Sequence, residues 1–142
     1  MKRLVTAACL FLSLGAIAEP AAQSSRAGDP PRLIIESMTG EDSFRFYCAP
    51  CHGVTGRGDG PVAAVLKTLP RDLTTLTKFN AGTFPRSAVI AFVDGTGRAL
   101  PAHGPGDMPV WGPIFRGLDS SNARVKVRIE NIVTFIESIQ TN

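Results

Sequence analysis

Residues 48–52 read Cys48-Ala49-Pro50-Cys51-His52. Two thiols three positions apart at a helix end project to one side, and the histidine directly after them is carried the same way. Three chemistries use such a run. Two thiols so placed can add to the two vinyl groups on one edge of a porphyrin, with the imidazole brought under the ring toward iron. A C-x-x-C pair also serves thioredoxin-like dithiol exchange. With a histidine, it can supply part of a zinc site.

The flanking sequence separates these readings. A thioredoxin-like motif follows a central strand in a βαβ setting. Here Phe44-Arg45-Phe46-Tyr47 continue a helix predicted to start near Thr39 and run through Cys48. Thr39-Gly40-Glu41-Asp42 fits a loose capping box, with Glu41 and Asp42 placed to suit the positive helix N-terminus. The motif leads into Gly53-Val54-Thr55-Gly56-Arg57-Gly58-Asp59-Gly60-Pro61, a glycine-rich loop. For zinc, two cysteines and a histidine are one ligand short of a closed structural site, and no second C-x-x-C exists to complete it. Covalent attachment of haem is the reading these flanks favour, with a thioredoxin-like dithiol protein kept as an alternative.

Cysteine usage agrees with it. The other cysteine, Cys9, lies in an N-terminal stretch with the marks of a signal peptide. Lys2 and Arg3 precede an apolar run from Leu4 to Ala18, and Ala16-Ile17-Ala18 has the small-x-small form of a cleavage site. The run is shorter than the roughly 20 residues a spanning helix needs. An uncleaved membrane anchor is the minor alternative. Cleavage would leave Cys48 and Cys51 as the exported thiols. It would also remove two basic charges from a formal net charge of +3, so nothing points to nucleic acid, which needs a basic patch. The organisation expected is a signal peptide over 1–18, a flexible Pro/Ala/Ser-rich leader over 19–36, and one folded domain over 37–142.

The rest of the domain reads as short helices and loops. A brief helix is predicted over Val62–Lys67, an irregular stretch over Pro70–Leu76, and a helix over Arg86–Val93 with Val89, Phe92 and Val93 on one face. Pro101 to Pro113, dense in proline and glycine, reads as loop. Val125, Ile129, Ile132, Val133, Ile136 and Ile139 make the apolar stripe of a final helix. No strand pattern stands out. The fold class is therefore all-α, about four short helices and loops around one covalently bound haem. So small a core is marginal unless something large fills it.

Iron needs a sixth ligand or an open face. Met108 lies in Asp107-Met108-Pro109-Val110-Trp111-Gly112, where a rigid loop could hold a thioether against the iron. Core filling is the ordinary use of a methionine, but this segment is no apolar helix. His52 and Met108 are thus the candidate metal ligands. His103 reads as a loop side chain or a hydrogen-bonding group at the haem edge, and Met38 as packing ahead of the first helix.

These pieces together resemble a bacterial class I cytochrome c, from about Gly40 to the C-terminus. The resemblance rests on Cys48–His52, the loop Gly53–Pro61, the segment Met108-Pro109-Val110-Trp111-Gly112, and the aromatic-bearing end of the last helix, Asn131–Ile136. It implies a monohaem carrier with His/Met ligation, moving one electron at a time in the periplasm. The partners implied are redox proteins and, during maturation, the haem attachment machinery. A monomer is expected, and no catalytic residue. The resemblance also implies a close crossing of first and last helices, with Gly40 and Phe44 meeting Phe135. It implies that a proline carbonyl accepts the second N–H of the axial histidine, which makes Pro61 the candidate and Pro70 the runner-up. Trp111 is expected to pack in the haem pocket, with its N–H available to a propionate. With Lys67, Lys78 and Lys126 the only lysines after residue 18, the lysine-ringed docking face of the mitochondrial proteins is not implied. An alternative within the same chemistry is the cytochrome subunit of an oxidoreductase complex.

Overall fold

A computed structural model describes residues 33–96 and 108–141. The expected signal peptide, nearly all of the leader and His103 lie outside the described residues. Those described are mostly helical, with no strand among them. The helices are α1 (Gly40–Tyr47), α2 (Ala49–His52), α3 (Arg86–Asp94), α4 (Trp111–Leu118) and α5 (Asn122–Ser138). Short 3₁₀ turns occur at Ala63–Val65, Leu73–Thr75 and Lys78–Asn80. Among the described residues no helix is long and apolar enough to cross a membrane.

Helix α1 starts where its cap was expected. The Thr39 hydroxyl accepts from the Asp42 N–H at 3.2 Å, and the Asp42 carboxylate accepts from the hydroxyls of Ser37 and Thr39. The helix stops at Tyr47 rather than continuing through Cys48. Pro50 explains the break: its ring has no N–H to donate and would crowd the carbonyl four residues back. Pro50 instead occupies the first turn of α2, where an amide N–H has no helical partner to lose.

Helix α5 buries the predicted stripe. Val125, Ile129, Ile132, Val133 and Ile136 are all buried, while Ile139 is half-buried at the C-terminal end. The α1–α5 crossing is tight at Gly40, where a Cβ would run into the Asn131 carbonyl. Phe44 is fully buried there with its ring centroid 5.0 Å from that of Phe135. The Asn131 side-chain amide donates to the Met38 carbonyl at 2.7 Å. The expected meeting of Gly40, Phe44 and Phe135 is therefore present.

Three local expectations change. The segment read as loop through Pro113 becomes helix at Trp111, and α4 follows. Pro113 is in the first turn of α4, where its missing N–H costs nothing, so proline density there marked a helix start. The short helix expected over Val62–Lys67 is only the 3₁₀ turn Ala63–Val65. Finally, Leu33 to Glu36, read as the end of the leader, is tied into the helical body. The Ile35 N–H donates to the Tyr47 hydroxyl at 3.1 Å, and that hydroxyl donates to the Leu33 carbonyl at 3.3 Å.

Candidate functional site

Cys48, at the junction of α1 and α2, and Cys51 and His52 within α2 place both thiols and the imidazole on the wall of a cavity of about 1120 Å³, larger than the roughly 300–1,000 Å³ of ordinary small-molecule pockets. Val89, Phe92 and Val93, the predicted apolar face of α3, line another part of it. Met108, Trp111 and Ile114 contribute from the start of α4 and the residues before it, and Ile136 from α5. Arg71 is the only charged side chain among the described lining residues.

The structure thus brings Cys48, Cys51, His52, Met108 and Trp111 to one cavity. Trp111 stacks on Phe115, with centroids 5.5 Å apart and planes 24° apart, and lies 5.3 Å from the Tyr47 ring. A tryptophan braced on two rings is a rigid piece of the cavity wall.

Pro61 does not join them. The residues on either side of it are bonded to the helix backbone: Gly60 N–H donates to the Cys51 carbonyl and Val62 N–H to the Pro50 carbonyl. Pro61 itself is exposed and is not among the described residues that line the cavity. The His52 Nδ1 instead lies 3.1 Å from the Arg71 carbonyl oxygen. That corrects both the Pro61 assignment and the Pro70 alternative. The reason is a close approach at Gly58, which has a positive φ of 84° and meets the Pro70 carbonyl where a Cβ would be. The Gly58 N–H donates to the His52 carbonyl at 2.8 Å, and the Leu73 N–H to the Gly56 carbonyl at 2.7 Å. These bonds draw the 70–73 backbone against the loop and bring Arg71, one residue beyond Pro70, over the imidazole.

A carbonyl can only accept, so this contact requires the proton of a neutral His52 to sit on Nδ1, leaving the lone pair on Nε2. Burial pushes His52 below the usual histidine range, with the Arg71 hydrogen bond pulling weakly the other way. Both effects suit a neutral ligand imidazole of fixed tautomer. The Cys48 thiol is pushed up to about 12, chiefly by burial and then by Cys51 beside it. An exchange nucleophile needs the opposite, a lowered pKa and an exposed sulfur.

Two groups at the site had no reading from sequence. One is the Arg71 main-chain carbonyl, for which residue identity carries no signal. The other is Arg128, buried behind the Tyr47 ring with only 3% of its surface exposed. Its spacing from Val125 and Ile132 places it on the apolar stripe of α5, and that periodicity was the available signal. Comparison of the chain with protein families, curated proteins and solved structures gives no match.

Proposed function

We propose that this chain is an exported electron carrier of the class I cytochrome c type, with one haem held covalently by Cys48 and Cys51 and ligated by His52 and Met108. The observation that carries this reading is the common placement of both thiols and a tautomer-fixed imidazole on the wall of one large apolar cavity. The donor set fits the group: two sulfurs for thioether bonds, a neutral nitrogen, and a methionine on the same cavity. The Gly40–Phe44–Phe135 crossing further supports the class I fold.

When bound, the haem supplies reversible one-electron chemistry at its iron. The protein's part is binding and environment. Cys48 and Cys51 would hold the group covalently, and the Arg71 carbonyl steadies His52 and would raise its basicity as a ligand. The Met108 thioether would favour the reduced state more than a second histidine. The apolar Val89, Val93 and Ile136 on the cavity wall would help exclude water from the bound group. No acid, base or nucleophile is called for. Partners are redox proteins met in the periplasm, together with the attachment machinery, and the carrier acts as a monomer.

The test is the visible spectrum of the purified exported protein in both redox states, for wild type and Met108→Ala. Wild type should be low-spin with an iron–sulfur band when oxidised, and Met108→Ala should lose that band. A high-spin wild type that binds carbon monoxide rapidly would instead indicate an open iron site and a sensing or enzymatic role.

A further inference from the structure

We infer that Arg128 raises the reduction potential of the group held in the cavity, by stationing a buried positive charge, hydrogen-bonded only to neutral acceptors, one aromatic ring behind the cavity wall. This rests on the haem reading above. The Arg128 guanidinium donates from Nη1 to the Ser37 carbonyl at 2.9 Å and the Ser43 hydroxyl at 3.2 Å, and from Nη2 to the Ile35 carbonyl at 2.9 Å. All three acceptors are neutral. Among the described residues it belongs to no ion pair. Asp119, an acid that feels its attraction, is itself bonded to Arg124 at 2.6 Å. The guanidinium lies 5.9 Å from the Tyr47 ring centroid and 6.0 Å from that of Phe115. Tyr47 lines the cavity and packs on Trp111, which lines it too.

Neutral acceptors orient a guanidinium without cancelling its net charge, and arginine keeps that charge at any working pH. Reduction adds an electron to the cavity, and a nearby cation in a low-dielectric interior favours the added negative charge. A purely structural Arg128 would merely tie residues 35–37 to α5, and its charge would be irrelevant.

Redox titration of the holoprotein, followed by visible absorption, separates the two. Arg128→Met and Arg128→Gln should shift the equilibrium with a reference couple about tenfold toward the oxidised form, the order expected of one charge about 12 Å away at an effective dielectric of roughly 20, with the low-spin spectrum kept. Arg128→Lys should recover most of the wild-type potential despite weaker folding. Ser43→Asp tests the charge with Arg128 in place: an acid beside the guanidinium should lower the potential. The shifts should persist in high salt, which screens buried charges poorly. Wild-type potentials in Arg128→Met and Ser43→Asp, or a fall in Arg128→Lys equal to that in Arg128→Met, would overturn the inference. A wild type without covalent haem would defeat the underlying reading. A haem-bearing wild type with unshifted variants would defeat only this inference.

Discussion

At the crossing of α1 and α5, Gly40 admits the Asn131 backbone and Phe44 packs on Phe135, so the two helices complete one another. On the cavity side, α2, α3 and the start of α4 present thiols, an imidazole and apolar side chains to a shared space of about 1120 Å³. Both regions are apolar and both touch the stretch from Gly40 to His52, yet they use that stretch differently. At the crossing, side chains and main chain of the two helices close directly on one another. At the cavity, they converge on a place where a ligand of stated chemistry would sit. Substitutions at the crossing should therefore register as lost stability, and those at the cavity as altered cofactor binding or spectrum.

The largest effect should come from Cys48→Ser/Cys51→Ser, which removes both anchors and should leave little folded, coloured protein after export. Covalently retained colour on a denaturing gel measures this. Abundant, stable, colourless protein would undo the contrast and favour a thiol role. Phe44→Ala comes next. Truncating a fully buried aromatic should cost about 3–5 kcal/mol, read by denaturant unfolding of the holoprotein with its spectrum unchanged. Gly40→Ala should cost about 1–3 kcal/mol, because the added carbon must push Asn131 aside. A spectral change in either variant would show that crossing and cavity are one cooperative unit. The smallest effect belongs to Arg71→Ala. The His52 hydrogen bond uses the main chain at this residue, so the low-spin spectrum should match wild type. Loss of His52 ligation in this variant would mean that the side chain holds the loop, through contacts such as its approach to the Phe79 ring at 5.5 Å.

Much of the fold was legible because its signals are local. The Thr39 cap, the α3 face and the α5 stripe each depend on residues within a turn or two of one another. The α4 start was misread for an equally local reason: proline and glycine weaken a helix interior but suit its first turn, and composition does not tell the two apart. At the site, Cys48, Cys51, His52, Met108 and Trp111 all reach the cavity. The partner of His52 and the carbonyls that accept from Arg128 were not legible, since each belongs to a chain segment far away in sequence; for the burial of Arg128 the α5 periodicity was the one available signal.

Sequence alone marked the candidate groups: thiols at i and i+3 with a histidine after them, a methionine in a stretch dense in proline and glycine, and helices with one apolar face each. Those features follow from covalent geometry and helical periodicity, which need no tertiary context. Packing decided which carbonyl meets His52, because a close approach at Gly58 moved the acceptor from a proline to Arg71. It also decided that a charged residue on the α5 stripe would be buried: residues 35–37 cross that helix and offer Arg128 carbonyls in place of water. Hydrogen bonds to main-chain atoms carry no residue signature, so only the folded chain reveals them.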